Sequence, residues 1–361
     1  MSEWSVINED CVIGMAKYPD NHFDSVVTDP PYELGFMGKS WDNTGIAYKK
    51  EVWAEVMRVM KPGAHLLAFG GTRTYHRMAC AIEDAGFEIR DQIQWLYGSG
   101  FPKSHNLEGE WDGWGTALKP ANEPICIARK PLSESTVAAN VLKWGTGAMN
   151  IEVSRIRASA EDQKKMEVGR KSVRTIRAGE VAKGYGMKPE GLADTEQSAN
   201  GRWPANIILD EEAGKILDGQ SGISKSSGGS GEKSMGALGK TKYGKYALDV
   251  KGANIGGLGD TGGASRFFYC AKVSQKERSG AGKNSHPTVK PIALMKYLIK
   301  LVTPLGGIVL DPFCGSGSTG CAAVRCKRRF VGIEKQKEYA EIARARIEAQ
   351  EKEDEIENEW S

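Results

Sequence analysis

Gly306-Gly307-Ile308-Val309-Leu310-Asp311-Pro312-Phe313-Cys314-Gly315-Ser316-Gly317-Ser318-Thr319-Gly320 reads as a strand, a glycine turn and the start of a helix. Gly315, Gly317 and Gly320 form a literal GxGxxG, the spacing that lets a strand turn tightly into a helix over a bound nucleoside. Working outward, Phe330-Val331-Gly332-Ile333-Glu334 is the next strand, with an acid at its end. Tyr339, Ile342, Ala343 and Ile347 mark a final helix, and Pro291 opens one through Leu294, Met295, Leu298 and Leu301. The first third repeats the rhythm. Phe23 to Thr28 is a strand, Lys49 to Met60 a helix stopped by Lys61-Pro62-Gly63, and Ala64 to Phe69 a strand. Thr72 caps a helix to Ala85, Phe87 to Tyr97 is a third strand, and Glu123 to Ala128 and Phe267 to Ala271 are strand-like. Strands alternating with helices imply an α/β fold with a largely parallel sheet.

The bulk numbers narrow the class. At 361 residues, 40% hydrophobic and 26% charged, the chain has the composition of a globular protein of one or two domains. No apolar run approaches a membrane span, and Met1-Ser2-Glu3-Trp4 lacks the pattern of a secretory signal, so a cytoplasmic location and no membrane partner are expected. Seven cysteines without a CxxC pair fit a reducing compartment, and the five histidines show no metal-ligand spacing, so no metal is expected. The net charge of +3 conceals an asymmetry: Lys225 to Lys283 carries eleven basic against four acidic residues, and Glu348 to Ser361 seven acidic against one basic. The basic stretch suits a polyanion and the acidic tail would be repelled by one.

A second run decides the chemistry. Asp29-Pro30-Pro31-Tyr32 directly follows the strand Phe23 to Thr28. Two prolines stiffen the backbone, Asp29 supplies a carboxylate, Pro30 a carbonyl and Tyr32 a stacking face. That set holds a planar base by its exocyclic amine. Such an amine is a poor nucleophile, and acceptors aimed at it stabilise the positive charge that grows on nitrogen as it takes a methyl group. Inside a duplex the amine is out of reach, so the base must be flipped out at a cost of roughly a few kcal/mol. In the downstream run, Asp311-Pro312-Phe313 puts a carboxylate and a ring where a dinucleotide turn usually has small residues. That favours S-adenosylmethionine, which has no pyrophosphate, over a nicotinamide cofactor. Phe313, Gly315, Ser316 and Gly317 then lie against the cofactor, Glu334 accepts from its ribose hydroxyls, and Lys290 pairs with its carboxylate. Thr288 adds a hydroxyl beside Lys290, and Asp10 can accept from the cofactor's adenine amine.

These two runs resemble the signature motifs of DNA N6-adenine and N4-cytosine methyltransferases. The catalytic run comes first, then a long insertion, then His286-Pro287-Thr288-Val289-Lys290-Pro291, then the cofactor run. That permuted order is similar to the beta group of these enzymes, found in bacteria and their phages. Trp114 to Pro124, Gly201-Arg202-Trp203-Pro204-Ala205-Asn206 and Ser265-Arg266-Phe267-Phe268-Tyr269 also look like phage and prophage methylases of this group. The resemblance implies a Rossmann-like, mostly parallel sheet of seven strands with one antiparallel, and often a homodimer. It also implies a site-specific enzyme acting on double-stranded DNA by base flipping, as in restriction-modification. An aspartate-led tetrapeptide implies adenine N6, with cytosine N4 as the alternative. The family's strand near Gln94-Trp95-Leu96-Tyr97 often carries a lysine where this chain has Tyr97, whose role stays open.

Three divisions follow: a catalytic half over 1–131, an inserted target-recognition region over 132–264, and a cofactor-binding half with an acidic tail over 265–361. Within the insertion, Arg170, Lys171, Arg174 and Arg177 form one basic cluster, and Lys240, Lys242 and Lys245 with Tyr243 and Tyr246 another, a mixture suited to phosphate and base contacts. The glycine-bearing loops Glu33 to Gly45 and Gly98 to Lys103 are placed to close over a flipped base and line its pocket. Three other readings compete. A nicotinamide dehydrogenase leaves the tetrapeptide unexplained. A protein-glutamine methyltransferase usually carries an asparagine-led tetrapeptide after the cofactor run. A DNA-binding protein without catalysis sits badly with two complete runs.

Overall fold

The computed structural model of the chain describes residues 4–34, 42, 44–100, 104–156, 201–225, 260–272 and 289–359. Its strands, in chain order, are β1 (Trp4–Asn8), β2 (Phe23–Thr28), β3 (Met60–Phe69), β4 (Glu88–Leu96), β5 (Asn122–Arg129), β6 (Ile207–Asp210), β7 (Ser224–Lys225), β8 (Thr261–Gly262), β9 (Tyr269–Ala271), β10 (Ile308–Asp311) and β11 (Arg329–Glu334). Nine of them form one sheet in the order β1-β11-β10-β2-β3-β5-β4-β6-β9, and β7 pairs with β8. Every pairing in the large sheet is parallel except those of β5 with β3 and with β4. The single antiparallel strand is the one expected. The strand count is nine rather than seven, because the short runs Ile207–Asp210 and Tyr269–Ala271 extend the sheet beyond β4.

The sheet is apolar on both faces, as a parallel sheet covered by helices must be. Every residue of β2 is buried, and its neighbours alternate: Val27, Leu67 and Val309 feed one layer, Val26, Leu66 and Leu310 the other. The first layer packs under the helices Ile292–Val302, Ser318–Arg325 and Lys337–Glu359 through Leu294, Leu298, Cys321, Ala343 and Ile347. The second packs under Lys50–Val59 and Tyr75–Asp84 through Trp53, Val56, Met78 and Ile82. Gly320 shows how close the first contact is: a Cβ there would fall 2.3 Å from Ile347 Cδ1 and 2.7 Å from Phe330 Cε1. The third glycine of the motif therefore serves helix packing.

Two local expectations shift. The helix after β3 begins at Tyr75 rather than after Thr72, with Thr74 at its cap position, and the Thr74 hydroxyl donates 2.8 Å to the carbonyl of Tyr32 instead of capping. The helix Lys50–Val59 ends where Lys61-Pro62-Gly63 was read as its stop, but those residues already belong to β3.

The chain forms two compact units. The first comprises Met1–Ser154, Ala205–Ile216 and Phe268–Ser361 and holds the whole nine-stranded sheet; the second comprises Arg155–Pro204 and Leu217–Phe267. In the second, the carboxylate of Asp260, 1% exposed, takes the guanidinium groups of Arg202 and Arg266, both of which stack on Phe267 at 4.9 and 4.3 Å from the ring centroid. The basic clusters Arg170 to Arg177 and Lys240 to Lys245, and most of the loops Glu33 to Gly45 and Gly98 to Lys103, lie outside or partly outside the described residues. Among the described residues no helix is long and apolar enough to cross a membrane.

Candidate active site

Parallel strands deliver their carboxyl ends to one edge, and a ligand cleft opens there where the strand order reverses direction. That point lies between β10 and β2. The catalytic and cofactor runs leave these two neighbouring strands side by side, although they are 282 positions apart in sequence (Asp29 and Asp311). The Thr28 hydroxyl donates 2.6 Å to Asp311 Oδ1 and locks the two strand ends together. Above them opens a cavity of about 640 Å³, within the range of about 300–1,000 Å³ usual for small-molecule sites.

Asp10, Asp29, Pro30, Pro31 and Tyr32 line this cavity, as do Lys290, Asp311, Pro312, Phe313, Gly315, Ser316 and Glu334. Gly317 stands behind it. Its φ of +82° caps the helix Ser318–Arg325, and a Cβ there would meet Ala343 Cα at 3.0 Å. Thr288 lies outside the described residues.

On the catalytic side four groups form one network. Lys290 Nζ donates 2.6 Å to Asp29 Oδ2 and lies 3.3 Å from Glu123 Oε2. The Tyr32 hydroxyl donates 2.8 Å to the same Glu123 oxygen, and the Lys290 ammonium sits 5.3 Å from the centre of the Tyr32 ring. Burial alone would lower the Lys290 pKa, but the Asp29 and Glu123 carboxylates outweigh it and hold the ammonium raised. Burial, then the charges of Asp29 and Glu123, keep the Tyr32 phenol far above its ordinary value, so it is a neutral donor. Asp29 Oδ1 is buried and has no partner. A buried acceptor without a donor costs about 1–3 kcal/mol, which marks it as awaiting one. The backbone beyond Tyr32 is bent sharply: Glu33 has φ +55°, and Asp42 takes the N–H groups of Glu33 and Leu34 at 2.9 and 3.2 Å.

On the cofactor side, the Glu334 oxygens each take one backbone N–H, Oε2 from Gly315 at 2.9 Å and Oε1 from Gln336 at 2.7 Å. Burial raises its pKa against these bonds. A carboxylate oxygen has two lone pairs, so both keep capacity for ribose hydroxyls. Gly315 has φ +52°, and a Cβ on Gly332 would strike Cys314 Sγ at 2.6 Å, so the strand end and turn form a cradle with no room for a side chain there. Burial, with Asp311 nearby, pushes the Cys314 thiol well up, and burial with Asp10 pushes Cys11 up to about 12; both wall thiols are neutral.

Three residues have partners that the sequence did not show. The ammonium of Lys290 is held by Asp29 and Glu123 rather than standing free for a cofactor carboxylate. Asp10 lines the cavity but also caps the helix Cys11–Met15, accepting from Val12 N at 3.1 Å. Asp311 is a brace: Oδ1 takes Thr28 and the Phe313 N–H, and Oδ2 takes Thr319 at 2.6 Å. Burial pushes its carboxyl up to about 6 in spite of these donors. A carboxyl raised above its ordinary 3.8 stabilises the fold most below that value, and the contribution is lost as pH rises through about 6. The stability of the wild type relative to Asp311→Asn is therefore expected to fall by roughly 2 kcal/mol between pH 4 and pH 7. Urea unfolding of both proteins across that interval measures it; a constant difference would contradict the assignment.

Sequence reasoning passed over Glu123, Trp95 and Asn122, which also line the cavity, and left Tyr97 open. Glu123 carried a legible signal, an acid two positions into the apolar strand Asn122–Arg129. What was hidden is that β5 runs backwards, so its first residues arrive where its neighbours end.

Comparison with known proteins identifies the family. The type II methyltransferase M2.DpnII of Streptococcus pneumoniae is 46% identical over 82 residues, 23% of this chain and 30% of that protein. M2.LlaDCHI of Lactococcus lactis subsp. cremoris is 40% identical over 79 residues, 22% of this chain and 29% of that protein. These alignments span less than a third of either relative. The solved PvuII DNA methyltransferase, described as cytosine-N4-specific, shares the fold at 16% identity and a TM-score of 0.50, over 96% of this chain and 86% of that one. A family model described as DNA methylase matches residues 23–345, from β2 to the last helix, and the chain belongs to that DNA methylase family, which covers both N6- and N4-directed enzymes.

Proposed function

We propose that this chain is a site-specific DNA methyltransferase that transfers a methyl group from S-adenosylmethionine to the N6 amine of adenine flipped out of a duplex. The observation that carries this reading is the split use of Asp29: Oδ2 is held by Lys290, while Oδ1 is buried, unpartnered and beside a cavity shared with the cofactor turn. When bound, S-adenosylmethionine supplies a sulfonium methyl. The residues present fit it. Glu334 would accept from the ribose hydroxyls, Phe313 would offer a ring, and the turn Cys314 to Ser316 would give backbone contact. Six carboxylates on the wall (Asp10, Asp29, Asp42, Glu123, Asp311 and Glu334) stand against three lysines (Lys49, Lys290 and Lys335), a balance that favours a cation.

At the amine, Asp29 Oδ1 and the Pro30 carbonyl accept its two hydrogens and draw the lone pair towards the methyl carbon. These groups would set the amine in line with the cofactor's methyl group, so that the N–C bond would form as the S–C bond breaks and leaves its electron pair on sulfur. Positive charge then rests on the amine beside the Asp29 carboxylate, and the surplus proton leaves through that carboxylate to water. Lys290 and Glu123 hold Asp29 and Tyr32 in place. The region 132–264 is assigned to target reading. Its support is the run of lysines from Lys225 to Lys251 and the exposed Trp203, 66% accessible, with the Arg155 guanidinium 5.4 Å from its ring. Nucleoside mass spectrometry of DNA from a host expressing the protein tests the reading. N6-methyladenine is expected, N4-methylcytosine would move the assignment to the other amine, and neither product would end it.

A further inference from the structure

Among the described residues, Asp29 Oδ1 is one of two unpartnered buried side-chain polar atoms on the cavity wall; the other is Trp95 Nε1. One is an acceptor and the other a donor. Their residues are linked through one run of pairwise contacts. Trp95 on β4 faces Glu123 on β5 in antiparallel register, which puts the two side chains on the same face about 5 Å apart at Cβ. Glu123 meets Lys290, and Lys290 meets Asp29. Trp95 is also fixed laterally, its ring 5.4 Å from that of Tyr97. An indole N–H buried without an acceptor is uncommon and costly. Both residues line the cavity, so a base bound there with a donor for one atom and an acceptor for the other would relieve both at once.

The pairing matches one chemical pattern. In adenine the amine-bearing carbon is flanked by N1, and in cytosine by N3, so both bases present an N–H donor next to a ring acceptor. Guanine and thymine present the reverse at the corresponding edge, a carbonyl next to a ring N–H. Against this wall a keto base would put acceptor to carboxylate and donor to indole, which is repulsive at both points. We propose that Trp95 is a specificity-determining residue, its indole N–H donating to the ring nitrogen beside the amine while Asp29 Oδ1 accepts from the amine itself. This deepens the methyltransferase reading and rests on it.

The test uses the full chain and a duplex carrying its mapped target, with the target base natural or replaced by 1-deazaadenine (3-deazacytosine if the product is N4-methylcytosine). Single-turnover methylation is followed for the wild type, Trp95→Phe and Trp95→His. The wild type is expected to lose about tenfold on the deaza base. Trp95→Phe is expected to lose about tenfold on the natural base and little more on the deaza base, with cofactor affinity unchanged. Trp95→His, which keeps a ring N–H, is expected to recover part of the loss on the natural base only. A wild type indifferent to the ring nitrogen overturns the proposal whether or not the variants fold. So does a Trp95→Phe protein that keeps the full deaza penalty. Loss of all methylation by the wild type on natural DNA would instead strike the parent reading.

Discussion

Asp29→Ala is expected to lower the rate of methyl transfer by at least two to three orders of magnitude, the usual effect of removing one group aimed at charge that develops in a transition state. Cofactor binding should change little, because the ribose-facing Glu334 and the turn Cys314 to Ser316 are untouched. Asp29→Asn is the sharper variant. Its amide oxygen can still accept from Lys290, so the fold loses little, but the negative charge beside the amine is gone. Both variants should therefore bind S-adenosylmethionine, followed by calorimetry, and fail in a tritiated-methyl transfer assay. Activity near wild type in either would remove Asp29 from the reaction.

The second large effect is at Lys290, 6% exposed and set between Asp29 and Glu123. Lys290→Met takes one cation from a buried group of two anions. Removing one partner from such a group typically costs about 3–5 kcal/mol of stability. The two remaining carboxylates oppose each other, and one takes up a proton in the variant. Methyl transfer is then expected to be low at neutral pH and to recover as pH rises, because Asp29 works as the carboxylate. Denaturant unfolding gives the first quantity and a pH–rate profile the second. Cofactor affinity separates the two roles available to this lysine. A counter-ion to Asp29 leaves it nearly unchanged, whereas a lysine that binds the cofactor's carboxylate weakens it sharply when lost. A variant with wild-type stability and an unshifted profile would show that the network is not needed.

Both functional runs were legible because each is local: a strand, a rigid turn and a charged or glycine-bearing end within fifteen residues. Their meeting at one cavity followed from the α/β rhythm, since parallel strands put their carboxyl ends on one edge. Partners were not legible. Nothing in the neighbourhood of Lys290 says that its ammonium lies on a residue 261 positions away, or that Glu123 completes the contact. Thr72 was expected to cap the next helix, and only the folded chain shows Thr74 at that position with its hydroxyl on the Tyr32 carbonyl. β6 went unread as a strand for a related reason: at four residues it is too short for a period to declare itself, whereas β9 falls within the strand-like run Phe267 to Ala271.

The reversed direction of β5 has a consequence for how such an enzyme can vary. The chain leaves β4 and re-enters through β5 at the same rim of the sheet, so the segment between them starts at Tyr97 and finishes at Pro120 beside the cavity. Its outer part carries Trp111 and Trp114, 56% and 62% exposed, and no sheet pairing depends on its length. Additions or deletions there would redecorate the doorway while leaving the hinges of the catalytic wall where they are. Diversity in what is admitted can thus accumulate at that one excursion without retuning the chemistry behind it.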